Sequence, residues 1–132
     1  MIPVVFINCS RVPFIDLILR LLKVYETRTR NMLRSLAGQR VFLAETGRGR
    51  PPLVRCSAVI GEPVVACSRS AWAALRRSAC IKRGSAFDWQ PGTKKKYLYP
   101  LSDVQPCVPF TPPEGVRHGR VWMEYIPDNM EG

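Results

Sequence analysis

The chain has 132 residues, 46% hydrophobic and 23% charged, which is enough apolar material for one packed domain and argues against wholesale disorder. Twenty Lys and Arg against ten Asp and Glu leave a formal charge of +10, the footprint of a protein whose partner carries negative charge. No run reaches the roughly 18 uninterrupted apolar residues of a membrane helix. Ile2 to Leu22 comes closest, but Asn8, Ser10, Arg11, Asp16 and Arg20 break it and no positively charged stretch precedes it, so a cytoplasmic protein without a membrane partner is expected.

Residues 2–7, rich in β-branched and aromatic side chains, predict a buried strand. Ser10 is positioned to cap a following helix, with Pro13 in its first turn. Phe14, Leu17, Ile18, Leu21 and Leu22 then fall at i, i+3, i+4, i+7 and i+8, one apolar stripe, and Asp16 and Arg20 can pair on the polar side. Residues 24–30 alternate as a strand, 31–36 form a short helix or turn ended by Gly38, and 39–44 give another apolar strand. Gly and Pro make 46–52 a loop; residues 53–65 read as one long strand or a pair bent near Gly61 and Pro63. Ser68 or Ser70 caps a second helix that turns Trp72, Leu75 and Ala79 toward the core. Residues 81–96 are irregular, and 97–110 and 119–126 are the last strands. Five to six short strands with two helices predict a small curved sheet closing into a barrel.

The positive charge is clustered. Residues 20–55 carry nine basic and two acidic side chains and residues 69–96 eight and one, whereas residues 101–132 carry two and five. Such asymmetry fits one face or groove that meets phosphates; the alternative is a set of solvated arginines, which outnumber the lysines fifteen to five. The five cysteines are scattered, without a C-x-x-C pair, and His118 is the only histidine, so the expectation is buried reduced thiols with no metal site and no cofactor. Trp72, Trp89 and Trp122 are expected in the core, and His118, before the last strand, is expected to be inert.

Leu17 to Arg28, a helix feeding a Lys-x-x-Glu-x-Arg strand with Lys23, Glu26 and Arg28 in the motif positions, resembles the signature of the ASCH domain. Residues 36–44, 97–104 and 119–123 are similar to further elements of that family, in the same order. Two positions depart from its pattern. Leu22 stands where a glycine is common, and Glu26 stands where the members that resemble amidohydrolases of modified nucleosides carry a threonine. The resemblance implies an α+β fold over residues 1–132, a PUA-like β-barrel of five to six strands with two flanking helices. It also implies a cleft beside the first helix and a role in RNA binding or RNA-linked chemistry.

In a regular strand Glu26 and Arg28 share a face and Lys23 lies opposite, although Lys23 sits at the helix-to-strand junction, where the alternation need not hold. Glu26 can accept from the exocyclic amine of a base while Lys23 and Arg28 meet phosphate or carbonyl oxygens. The same three can equally be an ion-pair cluster that holds the strand to the helix. Arg30, Arg48, Arg50 and Lys94, Lys95 and Lys96 are candidate phosphate contacts, and Tyr97 a surface on which an unpaired base can stack. The expected partner is RNA, another single-stranded nucleic acid or a nucleoside. The alternatives are an enzyme, a ribonuclease or nucleoside amidohydrolase with Lys23, Glu26 and Ser102 as catalytic groups, and a basic module docking on an acidic protein.

Overall fold

The computed structural model describes residues 2–113 and the backbone of 122–125. The elements are β1 (Ile2–Asn8), α1 (Phe14–Leu19), β2 (Tyr25–Arg28), β3 (Arg40–Thr46), β4 (Leu53–Ile60), β5 (Val64–Ala66), α2 (Arg69–Leu75), β6 (Lys96–Phe110) and β7 (Trp122–Tyr125), with short 3-10 turns at Arg34–Leu36 and Arg76–Ala79. The expected α+β fold is observed, a curled mixed sheet forming a half-barrel with two helices. The described strands number seven because the apolar run after Leu53 divides at Gly61 and Pro63 into β4 and β5. His118 and the ends of the last expected strand lie outside the described residues, as does the side chain of Trp122.

The strand order is β2-β6-β4-β3-β1-β7, with β5 also on β6; β1 and β3 run parallel and the other pairs antiparallel. The fifteen-residue β6 serves two neighbourhoods. Its first residues, 96–100, pair with β2 and β5, and its remainder pairs with β4. Two register shifts on β4 accommodate the curvature, and at one of them Asp103 adopts a left-handed conformation (φ 47°). Arg40 fixes this bulge by donating to the Asp103 carbonyl at 3.0 Å and to its carboxylate.

β3 is buried on both faces, which places core on each side of the sheet. The larger cluster packs Phe14, Ile15 and Ile18 of α1 and Trp72 of α2 against Val41, Leu43 and Tyr99. A smaller one sets Val4, Phe42 and Val54 against Phe110, with the Phe42 and Phe110 rings edge to face at 5.1 Å.

Helix α1 departs from its expected extent. It ends at Leu19, Pro13 rather than Ser10 occupies the N-cap position, and no side chain caps it. Leu21 enters the left-handed region (φ 61°), so the chain reverses and the last two residues of the apolar stripe face water, Leu21 at 66% and Leu22 at 51% exposure. Leu22 and Lys23 both donate their backbone N–H to the carbonyl of Leu17, closing the turn. Asp16 pairs with Arg55 of β4 at 2.7 Å instead of with Arg20, tying the helix to the sheet rather than to itself. Ser68 caps α2 as expected, accepting from Ala71 N at 3.1 Å.

Candidate functional site

The reversal at Leu21 carries the side chain of Lys23 inward. Lys23 is 2% exposed and Glu26 6%, although both are ionisable. Because β2 begins only at Tyr25, Lys23 precedes the strand and escapes its alternation, and it reaches the same side as Glu26 and Arg28. Lys23 Nζ lies 3.7 Å from Glu26 Oε1, and Arg28 Nη2 lies 3.0 Å from Glu26 Oε2. The ammonium also donates to Ala79 O at 2.7 Å and sits 4.5 Å from the centre of the Phe14 ring. Arg28 donates to Phe6 O at 3.0 Å, and Thr27 N donates to Glu26 Oε1 at 3.2 Å. Burial pushes the Lys23 ammonium below the ordinary lysine range, with the Glu26 carboxylate opposing. Two cations around one anion leave the cluster positive, and Arg28 Nε is buried without a hydrogen-bond partner among the described residues.

These three residues line a cavity of about 100 Å³, closed by Asn8, Phe14, Ile81 and Phe87. Thr27, Arg28 and Phe87 line both this cavity and a neighbouring one of about 360 Å³. Thr29, Gln90 and Thr93 in turn are shared between that second cavity and a wide outer one of about 930 Å³ bordered by Arg30, Lys94, Lys95 and Tyr97. The three cavities form a series linked by shared lining residues, with Lys23, Glu26 and Arg28 at one end (the floor) and Arg30, Lys94 and Lys95 at the other (the mouth). This series, the trough, joins Lys23, Glu26, Arg28, Arg30, Lys94, Lys95 and Tyr97, which the sequence places up to 74 positions apart.

Three expected site residues stand elsewhere, and a fourth, Lys96, lines the middle cavity with its ammonium already engaged. Lys96 touches the middle cavity but is 6% exposed; its ammonium donates to Phe87 O at 2.8 Å and lies 4.9 Å from the Trp72 ring, and burial lowers its pKa. It braces the 84–89 loop. Arg48 and Arg50 both turn to buried Glu45, at 3.3 and 3.4 Å, and line none of the three cavities. Ser102 is exposed opposite Val59 and lies outside all three. Among the thiols, Cys67 is exposed where burial was expected; Cys9 and Cys56 are buried and Cys80 and Cys107 half-buried.

Sequence reading missed Asn8, Thr27 and Phe87, which wall the floor. Asn8 ends a strand and Phe87 sits in an irregular stretch, positions without periodicity to signal a pocket. The 84–89 loop is held by Asp88, which accepts from Trp72 Nε1 at 2.6 Å and Gly84 N at 2.7 Å. Burial alone would raise the Asp88 pKa, but these bonds, another from Trp89 N and the charge of Arg76 outweigh it and hold the carboxyl at about 2.

No family model and no curated protein matches the sequence. Solved structures do match the fold. An ASCH protein from Zymomonas mobilis superposes with a TM-score of 0.73 over 98% of this chain and 90% of that one, at 20% identity. Two single-substitution variants of the Zymomonas protein, tyrosine to phenylalanine and serine to alanine, superpose with TM-scores of 0.72 and 0.73 at 18% and 21% identity, covering 98% of this chain and 93% and 91% of theirs. The fold is that of ASCH. At this level of identity the likeness concerns the backbone, and the Lys23–Glu26–Arg28 cluster stands on its own geometry. No helix among the described residues is long and apolar enough to cross a membrane.

Proposed function

We propose that this protein binds single-stranded RNA or a nucleotide, with one base on the Lys23–Glu26–Arg28 floor and phosphates at Arg30, Lys94 and Lys95. The observation that carries this reading is the placement of charge: a buried carboxylate between two cations at the floor of the trough and basic side chains at its mouth. In this reading Glu26 accepts from an exocyclic amine and the Arg28 guanidinium donates to a base carbonyl. Phe14 and Phe87 flank the floor with apolar surface, and half-buried Tyr97 offers a ring at the mouth.

Titration of a fluorescein-labelled oligoribonucleotide at several salt concentrations tests it. Log affinity should fall linearly with log salt, and Lys94→Ala with Lys95→Ala should lower that slope by roughly 0.7 for each phosphate no longer neutralised. Affinity indifferent to salt between low and physiological ionic strength rejects the phosphate seats at Lys94 and Lys95.

The enzyme reading draws support from one feature, the Lys23 amine with its lowered pKa beside the Glu26 carboxylate. Hydrolysis of single-stranded RNA or of an acylated nucleoside, lost in Lys23→Met while the variant remains folded, would favour catalysis over binding alone. Pure protein that leaves both substrates intact rejects it.

A further inference from the structure

The 84–89 loop has a cavity on each side, and Asp88 lines both. The side away from the trough holds a space of about 320 Å³ between α2 and the loop, walled by Arg69, Arg76 and Arg83 with Trp72, Trp89 and Asp88. The arginines come from three segments: the first residue of α2, the 3-10 turn after it and the loop beyond. Their situation differs from that of the barrel arginines. Arg28, Arg40, Arg48, Arg50 and Arg55 each meet a carboxylate. Arg69, Arg76 and Arg83 meet none at ion-pair distance among the described residues. The nearby anion, Asp88, accepts from the Trp72 indole and Gly84 N and stays ionised, so it offsets part of the charge of Arg76 and leaves that of Arg69 and Arg83 in excess. Arg76 is fixed by donating to Ile81 O at 2.9 Å, so one guanidinium is preorganised while Arg69 and Arg83 stay exposed at the rim. Half-buried Trp89 supplies an aromatic wall.

From this convergence we infer that the arginine cavity is a second phosphate seat for the same strand, reached by chain that leaves the trough and crosses the 84–89 loop. The inference rests on the trough being a nucleic-acid site. Guanidinium groups suit this role because their paired N–H groups match two phosphate oxygens, and an indole can stack a base beside the phosphate. The space equals about ten water volumes, at about 30 Å³ each, room for a phosphodiester and part of a neighbouring nucleotide. Lys96 and Asp88 anchor the loop between the two seats, which fixes their separation.

The test compares a short RNA that can fill only the trough, oligouridylate of about four nucleotides, with one of about twelve, within the range a small single-strand binding domain spans. Arg69→Gln/Arg83→Gln changes two exposed side chains, and its melting temperature should match the parent. Wild type should bind the longer RNA more tightly. The variant should lose about tenfold on the longer RNA, with a salt slope lower by roughly 1.4, and keep its affinity for the shorter one. Emission of Trp89, read as the difference from Trp89→Phe, should change with the longer RNA alone. If the variant binds both RNAs like wild type, or weakens equally on both, the second seat is refuted while the trough stands. If wild type binds neither RNA, the trough reading fails and the second seat with it.

Discussion

Removal of Glu26 should harm this protein more than removal of either cation it serves. Glu26 faces two cations, whereas Lys23 has Glu26 as its one carboxylate partner among the described residues. Glu26→Gln therefore leaves an ammonium 2% exposed, with Arg28 nearby and no carboxylate among the described residues to balance them. Breaking a buried pair from one side costs about 3–5 kcal/mol, or roughly 12–20 °C in melting temperature at about 4 °C per kcal/mol for a domain of this size. Lys23→Met keeps the Glu26–Arg28 ion pair and orphans only the Ala79 carbonyl, a loss of about 1–3 kcal/mol. The double variant should be more stable than Glu26→Gln alone. A pH arm fixes the sign. Burial already holds the Lys23 pKa below its unfolded value, and loss of Glu26 removes the main opposing charge. Between the folded Lys23 pKa of the variant and the higher one of the parent, the folded variant binds fewer protons than the folded parent, so stability of Glu26→Gln relative to the parent should rise with pH in that interval and be flat above it. Calorimetry or urea unfolding across pH 6–10 reads all of this. If Lys23→Met proves the more damaging change, or Glu26→Gln melts within about 3 °C of the parent, the pair does not hold Lys23 in the fold.

Leu21→Gly should stabilise the protein by up to about 1 kcal/mol in urea unfolding, because Leu21 is 66% exposed at φ 61° and glycine adopts that conformation without a Cβ clash; a loss of stability would mean that its side chain packs. Asp88→Asn should destabilise by about 1 kcal/mol at neutral pH, because the amide gives up the charge-assisted bonds from Trp72 and Gly84 N while partial exposure screens the rest. Since the folded pKa is the depressed one, this contribution is present above the unfolded value and disappears as pH falls through about 2, so parent and variant stabilities should converge in acid; a gap that persists at pH 2 refutes the assignment.

Most of the strand plan was legible because it rests on local composition. The β-branched run of β1, the Gly and Pro breaks around residues 47–52 and 61–63, and the Ser68 cap each act within a few residues. The helix boundary was not legible, and the reason is tertiary. Periodicity continues through Leu22, yet burying Lys23 against Glu26 and Phe14 requires the chain to reverse at Leu21, and the stripe loses its last two members. Asp16 shows the same override, since an i,i+4 partner on the helix is worth only about 0.2–0.5 kcal/mol and yields readily to Arg55 on β4.

For the site, the motif Lys23, Glu26 and Arg28 was readable by spacing, but the fate of the other cations depended on where the anions fell. Arg48 and Arg50 lie next to Glu45 in sequence, and the fold buries that carboxylate and leaves it for them. Lys96 follows Lys94 and Lys95 directly, yet the start of β6 turns it inward onto Trp72 while its neighbours remain at the mouth. A run of like charges thus divides where the strand begins, into a structural post at Lys96 and two exposed lysines before it. A similar division separates the arginines of the α2 side, where Asp88 holds the loop and offsets only part of the charge, from those of the barrel. It follows that the charge available to a polyanion is set less by the total of +10 than by which cations the few buried carboxylates have already claimed.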